Sequence, residues 1–253
     1  MKSTSTNKRF FDILIGTDGK GGFYTHEFTG KQNLYSEGKS SIFYYGSDLK
    51  IKKEISLVDS KGNNTNFVAF YPGSNESYLI TKKRNSIDNK TVYSVTVIDS
   101  NFNQTAAPRV IAEVNSDKLS HHICVINSLK SNYNQSIVSS ENYLINDNPI
   151  IFLNSDNRTK IAVIKNSTVE NSNVKNEIYE LAVYNANNGF EQIWNLNAEI
   201  PLDDNRFSLI QACADDLGNI YLLGYHYKKN KNSIKNFGYK ILKYNSKGLV
   251  FDR

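Results

Sequence analysis

An all-β chain built from a repeated four-stranded antiparallel unit is the fold class this sequence predicts, and three observations predict it. Short runs of β-branched and aromatic residues alternate apolar with polar positions, and clusters of Gly, Asn and Asp separate the runs. The composition points the same way: 16 Tyr and 13 Phe stand against one Met and four Pro, which favours strands over a helical bundle. The runs also recur in groups of four at roughly 55 residues, a period typical of repeat architectures and not needed by a sandwich.

The first group reads as strands at 11–16, 23–28, 41–45 and 51–57, with turns at 17–22 and 46–49. The second reads as 67–71, 78–82, 92–98 and 109–114, turning at 72–76 and 99–102. The third is 150–154, 160–164, 178–184 and 191–196, with a hairpin turn at 185–189. The fourth, over 207–253, is the most regular. There Asp215 and Asp216 can cap a turn through side-chain to backbone hydrogen bonds, and Gly218 and Asn219 tolerate the positive φ of a tight reversal. The strand 220–223 follows at once, and a second turn at 245–248 closes a hairpin between 239–244 and 249–251.

Four short strands so punctuated make one blade of a β-propeller. The expected fold is therefore β-propeller-like, with about four to five four-stranded antiparallel blades in a single domain over 1–253. Blades fall at about 10–58, 66–115, 149–197 and 207–253. The interval between the second and third groups is longer by about 25 to 30 residues. Its segment 116–148 holds His121-His122-Ile123-Cys124-Val125-Ile126 and Gln135-Ser136-Ile137-Val138, and is expected to form a hairpin or a degenerate blade, since structureless loops of that length are uncommon. The chain begins on a first strand and ends on a fourth, which leaves an incomplete ring as an alternative to a closed one.

The run Asp215-Asp216-Leu217-Gly218-Asn219-Ile220-Tyr221-Leu222-Leu223-Gly224 resembles the D-x-x-G-N-x-Y-x-x-G core of bacterial β-propeller repeats. The later Ile241-Leu242-Lys243-Tyr244-Asn245-Ser246-Lys247-Gly248 resembles the x-x-K-Y-x-x-x-G hairpin of the same repeats. The resemblance covers one blade, about a fifth of the chain. It implies a fold and no activity.

The 30 basic and 25 acidic residues are scattered, and the net charge of +5 is a mild excess that does not call for nucleic acid or a membrane surface. No apolar run approaches the ~20 residues of a membrane span, and the apolar part of 10–15 is too short for a signal-peptide core. The expected location is the cytoplasm, or the cell envelope or exterior if the chain is an excerpt whose signal has been removed. Cys124 and Cys213 lie in different repeats and outside any C-x-x-C pair, so two free, buried thiols are expected rather than a disulfide.

Few residues stand out chemically. Of the four histidines, His121 and His122 would point to opposite faces of a strand and cannot share one metal ion from that element. His26 and His226 lie past the second-strand markers Tyr24 and Tyr221 of the first and fourth blades, where a shared site is conceivable in a closed ring and a solvated or core-edge histidine is the simpler reading. The run Thr17-Asp18-Gly19-Lys20-Gly21-Gly22 lacks phosphate-loop spacing and reads as a hairpin turn. Asp215 and Asp216 lack the spacing of a calcium loop, and turn capping explains both. No G-x-S-x-G elbow is present, and spacing distinguishes none of the acids Glu27, Glu54, Glu180 and Asp203 as a glycosidase pair. Asn-x-Ser/Thr triplets, as at Asn63 and Asn157, mark surface turns in a chain this rich in Asn, Ser and Thr. The clusters Lys82-Lys83-Arg84 and 228–231 read as solvated loop charge. Trp194 and the tyrosines, Tyr225 among them, read first as packing between blades and second as a recognition surface.

These residues point to a non-catalytic binding or scaffold module with a protein or glycan partner. Its ligand-binding candidates are His26, His121, His122, Trp194, Tyr225 and His226. No catalytic residue, metal site or cofactor is assigned. The alternatives are a propeller hydrolase acting on a glycan or ester, and a structural repeat segment of a larger envelope protein.

Overall fold

A computed structural model describes residues 8–18, 20–30, 39–59, 61–73, 75–85, 87–115, 150–167, 178–201, 206–230 and 233–253. The segment expected to form a hairpin or degenerate blade, with His121, His122 and Cys124, lies outside the described residues. Among those described, the chain is all β and forms four four-stranded antiparallel sheets. The first holds β1 (Lys8–Thr17), β2 (Phe23–Gly30), β3 (Lys39–Tyr45) and β4 (Ile51–Ser56). The second holds β5 (Asn66–Tyr71), β6 (Glu76–Asn85), β7 (Lys90–Asp99) and β8 (Arg109–Asn115). The third holds β9 (Ile150–Asn154), β10 (Lys160–Asn166), β11 (Ile178–Asn185) and β12 (Gln192–Glu199). The fourth holds β13 (Arg206–Ala214), β14 (Ile220–Asn230), β15 (Ser233–Asn245) and β16 (Gly248–Asp252). Each strand pairs with its neighbours in sequence, so every sheet is a meander. No helix among the described residues is long and apolar enough to cross a membrane.

The described residues divide into two compact units, one ending at Glu113 and one beginning at Val114. In the first unit Ile15, Tyr24 and Ile42 of the first sheet join Phe70, Leu79 and Ile98 of the second in one core. Phe102 closes its end, stacked on the Tyr24 ring at 6.0 Å between centroids. In the second unit the core joins Ala162, Ile164, Leu181 and Val183 of the third sheet to Ile220, Leu222, Leu242 and Tyr244 of the fourth. The alternation read from the sequence is what buries them: Ile220 and Leu222 are wholly buried, while Tyr221 and Leu223 between and after them are half-buried on the other face. Each such aliphatic side chain contributes about 1.5–3 kcal/mol by leaving water.

One turn recurs. At Asp18, Asp59, Asp99 and Asp215 the carboxylate Oδ1 accepts the backbone N–H groups two and four residues on, at 2.7 to 3.0 Å. The fourth residue of each turn has positive φ: Gly21 (95°), Gly62 (77°), Phe102 (66°) and Gly218 (80°). Glycine reaches that region without a Cβ penalty, and Phe102 is held there by its packing. The glycine-rich run at Asp18 is thus a hairpin turn, as expected.

A second recurrence is a register shift within the first strand of three sheets, between Phe11 and Ile13, Phe67 and Ala69, and Leu209 and Gln211. Each inserts one residue, and a bulge of this kind re-aims the side chain it carries.

Two expectations need correction. The basic clusters are not loops: β6 runs to Asn85 with Lys83 opposite Val92, and β14 runs to Asn230 with Lys228 opposite Lys235. Ladder hydrogen bonds come from the backbone, so a hairpin extends past the apolar stretch that marks it in the sequence. Cys213 carries a free thiol as expected, but it is exposed rather than buried. It pairs with Tyr221 on the outward face of β13, and Ala212 and Ala214 take the core positions on either side.

Candidate ligand-binding site

In the first unit, the segment joining β4 to β5 folds back over β6 and β7 and leaves a cavity of about 650 Å³. Its anchor is the Asp59 turn, closed by a 2.8 Å bond from the Asp59 N–H to the Asn63 carbonyl and by the short antiparallel bridge of Val58 with Asn64. The Thr65 N–H then donates to the Leu57 carbonyl at 3.0 Å, which fixes the segment's return. The floor is one face of a hairpin. Thr81 lies opposite Ser94 and Lys83 opposite Val92, and a period of two brings all four to the same side. Val110 and Pro108 close the wall on the β8 side.

The charge of the lining is uneven. Lys61, Lys83 and Arg84 face one carboxylate, Asp59. Lys83 Nζ lies 2.5 Å from Asp59 Oδ2. That ammonium, with the hydrogen bonds from the Asn63 side chain and backbone, holds the Asp59 carboxyl well below the usual carboxylate range. The Arg84 guanidinium donates to Asn89 Oδ1 at 3.1 Å. Thr65 is 7% exposed, and its Oγ1 is buried with no hydrogen-bond partner among the described residues.

The sequence candidates are placed elsewhere. His26, 2% exposed, sits between the two sheets of the first unit with its ring stacked on Phe67 at 4.6 Å and edge-on to Phe28 at 4.8 Å. It is therefore a core-edge and not a solvated histidine. The β1 bulge frees Asp12 from the ladder and brings its Oδ2 2.7 Å from His26 Nδ1, while Ser40 Oγ lies 2.5 Å from Nε2. With the carboxylate accepting, Nδ1 carries the proton and the Ser40 hydroxyl donates to Nε2, which is the polarity of a Ser-His-Asp relay. Burial pushes the His26 pKa down and outweighs the upward pull of Asp12, so the ring is neutral near pH 7. The exposures run opposite to what such a relay needs: Asp12 is 47% exposed and Ser40 7%.

Glu27 of the same strand is 4% exposed on the other face, where it accepts from Thr25 Oγ1 at 2.8 Å and from the Tyr45 hydroxyl at 2.7 Å.

In the second unit, Trp194 is half-buried and its Nε1 donates to the Gly218 carbonyl at 3.0 Å, tying β12 to the turn between β13 and β14. That is a packing role between sheets. Tyr225 pairs across strands with Tyr239, ring centroids 4.5 Å apart and hydroxyls 2.8 Å apart, and Tyr239 is 64% exposed. His226 is half-buried and lies opposite Phe207 and Gly238. His121 and His122 lie outside the described residues. The two aspartates of the fourth sheet's turn part company. Asp215 caps its own turn, and Asp216 reaches the β9–β10 hairpin, accepting from Asn157 N at 3.0 Å and Asn157 Nδ2 at 2.7 Å. Capping explains the first, as expected; the second is a tie between sheets that spacing could not reveal.

Sequence reasoning missed the cavity. One signal was present: Asp59-Ser60-Lys61-Gly62-Asn63 spells the same D-x-x-G-N as the turn at Asp215, which marks a tight reversal ahead of β5.

No protein-family model matches the chain, and no curated protein matches it in sequence. Solved structures that align with it include an acylaminoacyl peptidase from Pyrococcus horikoshii, at 11% identity and a TM-score of 0.42, with 99% of this chain and 38% of the peptidase covered. Levansucrase from Bacillus subtilis aligns at 10% identity and a TM-score of 0.37, covering 97% of this chain and 69% of that one. An exo-β-1,3-galactanase from Clostridium thermocellum aligns at 10% identity and a TM-score of 0.36, covering 96% of this chain. The chain spans 49% of the galactanase's length. Identity and TM-score are too low for any residue role to be carried across.

Proposed function

We propose that the chain is a non-catalytic β-propeller-like module, related to the D-x-x-G-N repeats it resembles, that binds a protein or glycan partner. The observation that carries the reading is the cavity of about 650 Å³ under the segment joining β4 to β5, a volume in the range of ordinary ligand sites. Its apolar wall gives contact area and its polar groups give orientation. The test is capture of glycans on an array and of proteins from an extract of the source cells. It compares the wild-type chain with Val110→Trp, which fills the cavity from a side chain 53% exposed and so leaves the core untouched. Binding should be lost in the variant. Equal binding by both proteins would place the interface elsewhere and sink this assignment.

One observation favours a second reading, a hydrolase acting on an ester or glycan: the hydrogen-bonded order Asp12, His26, Ser40. In that reading Ser40 Oγ attacks the acyl carbon of an ester, a glycan's ester substituent included, as its proton passes to His26 Nε2; the imidazolium returns that proton to the alcohol that leaves, and water then frees the acid from the acyl-serine by the same route. Labelling with a fluorophosphonate decides between them. A covalent adduct on Ser40 that vanishes in Ser40→Ala, with turnover of a generic ester, would replace the binding reading. The burial of Ser40 predicts no adduct.

A further inference from the structure

We propose that the outward face of the fourth sheet, on its β14–β15 hairpin, binds single-stranded nucleic acid, with bases on Tyr225 and Tyr239 and phosphates at the lysines to either side. This surface lies on another sheet than the cavity, and the proposal does not depend on the reading above.

Charge is the first observation. The mild excess that, taken over the whole chain, does not call for nucleic acid has one source. Between Leu217 and Phe251 there are seven lysines, no Asp and no Glu. The other 23 basic residues stand against all 25 acidic ones, so the remainder of the protein is slightly negative. The hairpin keeps the excess on one ladder: Lys228 lies opposite Lys235, and Lys240 and Lys243 follow along β15. The bordering carboxylates are engaged. Asp252 is held by Lys240 at 2.9 Å, and Asp215 by its own turn and the Tyr221 hydroxyl. Lys243 and Lys247 take part in no ion pair among the described residues.

The second observation is what the same face exposes. Leu222, Leu242 and Tyr244 turn to the core shared with the third sheet. The alternate positions, Tyr221, Leu223 and Tyr225 of β14 and Tyr239, Ile241 and Lys243 of β15, therefore face outward. Tyr239 is 64% exposed and Ile241 42%. The Tyr225 and Tyr239 rings pack at 4.5 Å between centroids with their hydroxyls 2.8 Å apart, so the ladder holds them as one aromatic platform. Lys243 Nζ lies 5.2 Å from the centre of the Tyr221 ring. Lys243 is four residues from Tyr239, about 13 Å along the strand, and Lys228 stands three residues beyond Tyr225 in the other direction. The rings thus have lysines in the ladder on both sides.

The chemistry of the partner follows from the two together. An aromatic platform takes any flat π face, and cations beside it suit a chain that carries a charge on every unit. Bases supply the first and phosphates the second. A duplex keeps its base faces in its own stack, and an acidic polysaccharide meets the lysines but has no π face for the rings. Lysine acts as a point charge without the planar fork that reads a base edge, so the binding is tolerant of sequence.

The test is fluorescence anisotropy of the full chain with a labelled oligothymidine of about 12 nucleotides, a length within the usual site sizes, in 50 mM and 200 mM salt. Unlabelled strand, its duplex and oligogalacturonate serve as competitors. The single strand should bind and lose about 20-fold in affinity between the two salts, as expected when about three phosphates are neutralised. Both other competitors should displace it poorly. Tyr239→Ala should weaken binding about tenfold, with the salt dependence and the melting temperature unchanged. Lys243→Gln should weaken it and flatten the salt dependence. Val110→Trp, in the other unit, should bind the strand as the wild type does. No binding in 50 mM salt, undiminished affinity in Tyr239→Ala, or loss of binding in Val110→Trp would each overturn the proposal. Competition by the duplex or by oligogalacturonate as strong as by the strand itself would overturn it too, the latter in favour of an acidic polysaccharide.

Discussion

Replacing Asp215 by Ala tests the physical account of the recurring turn most directly. The carboxylate accepts four hydrogen bonds there: Leu217 N at 3.0 Å, Asn219 N at 2.8 Å, Asn219 Nδ2 at 2.6 Å and the Tyr221 hydroxyl at 3.0 Å. The two side-chain donors can turn to water in the variant, but the two backbone N–H groups are fixed by the turn. Each loses a charged acceptor, and in this half-buried setting about 1 kcal/mol per bond is a fair share of the ~1.5–3 kcal/mol that fully buried cases show. The expected loss is therefore about 2 kcal/mol at pH 7, at the upper end of what removing a capping side chain costs a helix. Burial pushes the Asp215 pKa up, yet the bonds from Asn219, Tyr221 and Leu217 outweigh it and hold the pKa below its ordinary value. A lowered folded-state pKa means that the contribution is present above the unfolded value near 3.9 and disappears as pH falls through the folded one. Urea unfolding of the wild type and the variant at pH 7 and pH 2.5 reads both parts. A difference under ~0.5 kcal/mol at pH 7, or one undiminished at pH 2.5, would show that the carboxylate does not hold the turn.

Three further outcomes follow from other sites. His26 is kept neutral by burial, so the unfolded chain binds a proton that the folded chain refuses below about pH 6.5; stability should fall as pH drops from 7 to 5, and thermal melts of His26→Gln should lack that part of the slope. Leu222 is wholly buried between the third and fourth sheets, so Leu222→Ala should lose about 2–5 kcal/mol in chemical unfolding. The Cys213 thiol is exposed, but partial burial and then the charges of Asp156 and Asp215 push its pKa up; alkylation by iodoacetamide at pH 7 should be slower than that of a free cysteine and accelerate as pH rises.

The inner strands were legible in the sequence because each buries one face against a partner sheet, which forces the alternation that a reader can see. Ile220 and Leu222, with Tyr221 between them, show it in three residues. Strand ends were less legible, since Lys83 and Arg84 stay in the ladder through backbone bonds that polar side chains neither help nor hinder. The bulge at Asp12 left no mark that composition or period could detect, and it alone decides that this carboxylate meets His26. Nothing local announces that Asp216 will cap Asn157 from a distant hairpin or that Thr65 will lose its water. These depend on where one loop comes to rest on another, a long-range outcome to which residue type contributes only weakly. His26 stands out for its chemistry, and the structure gives it partners; the cavity goes unmarked in the sequence except for the D-x-x-G-N of its Asp59 turn.

The meander order of the sheets bears on how the protein is made. Every ladder in a sheet forms between strands adjacent in sequence, so loop closure within it is short and its entropic cost small. As the chain leaves the ribosome, no strand of a sheet has to wait for a partner encoded far downstream. Each sheet can complete its hydrogen bonding once its fourth strand emerges, and what it then lacks is only a neighbour for its apolar face. The vulnerable interval in synthesis is the time between the completion of one sheet and the arrival of the next, during which that face is open to water and to other chains.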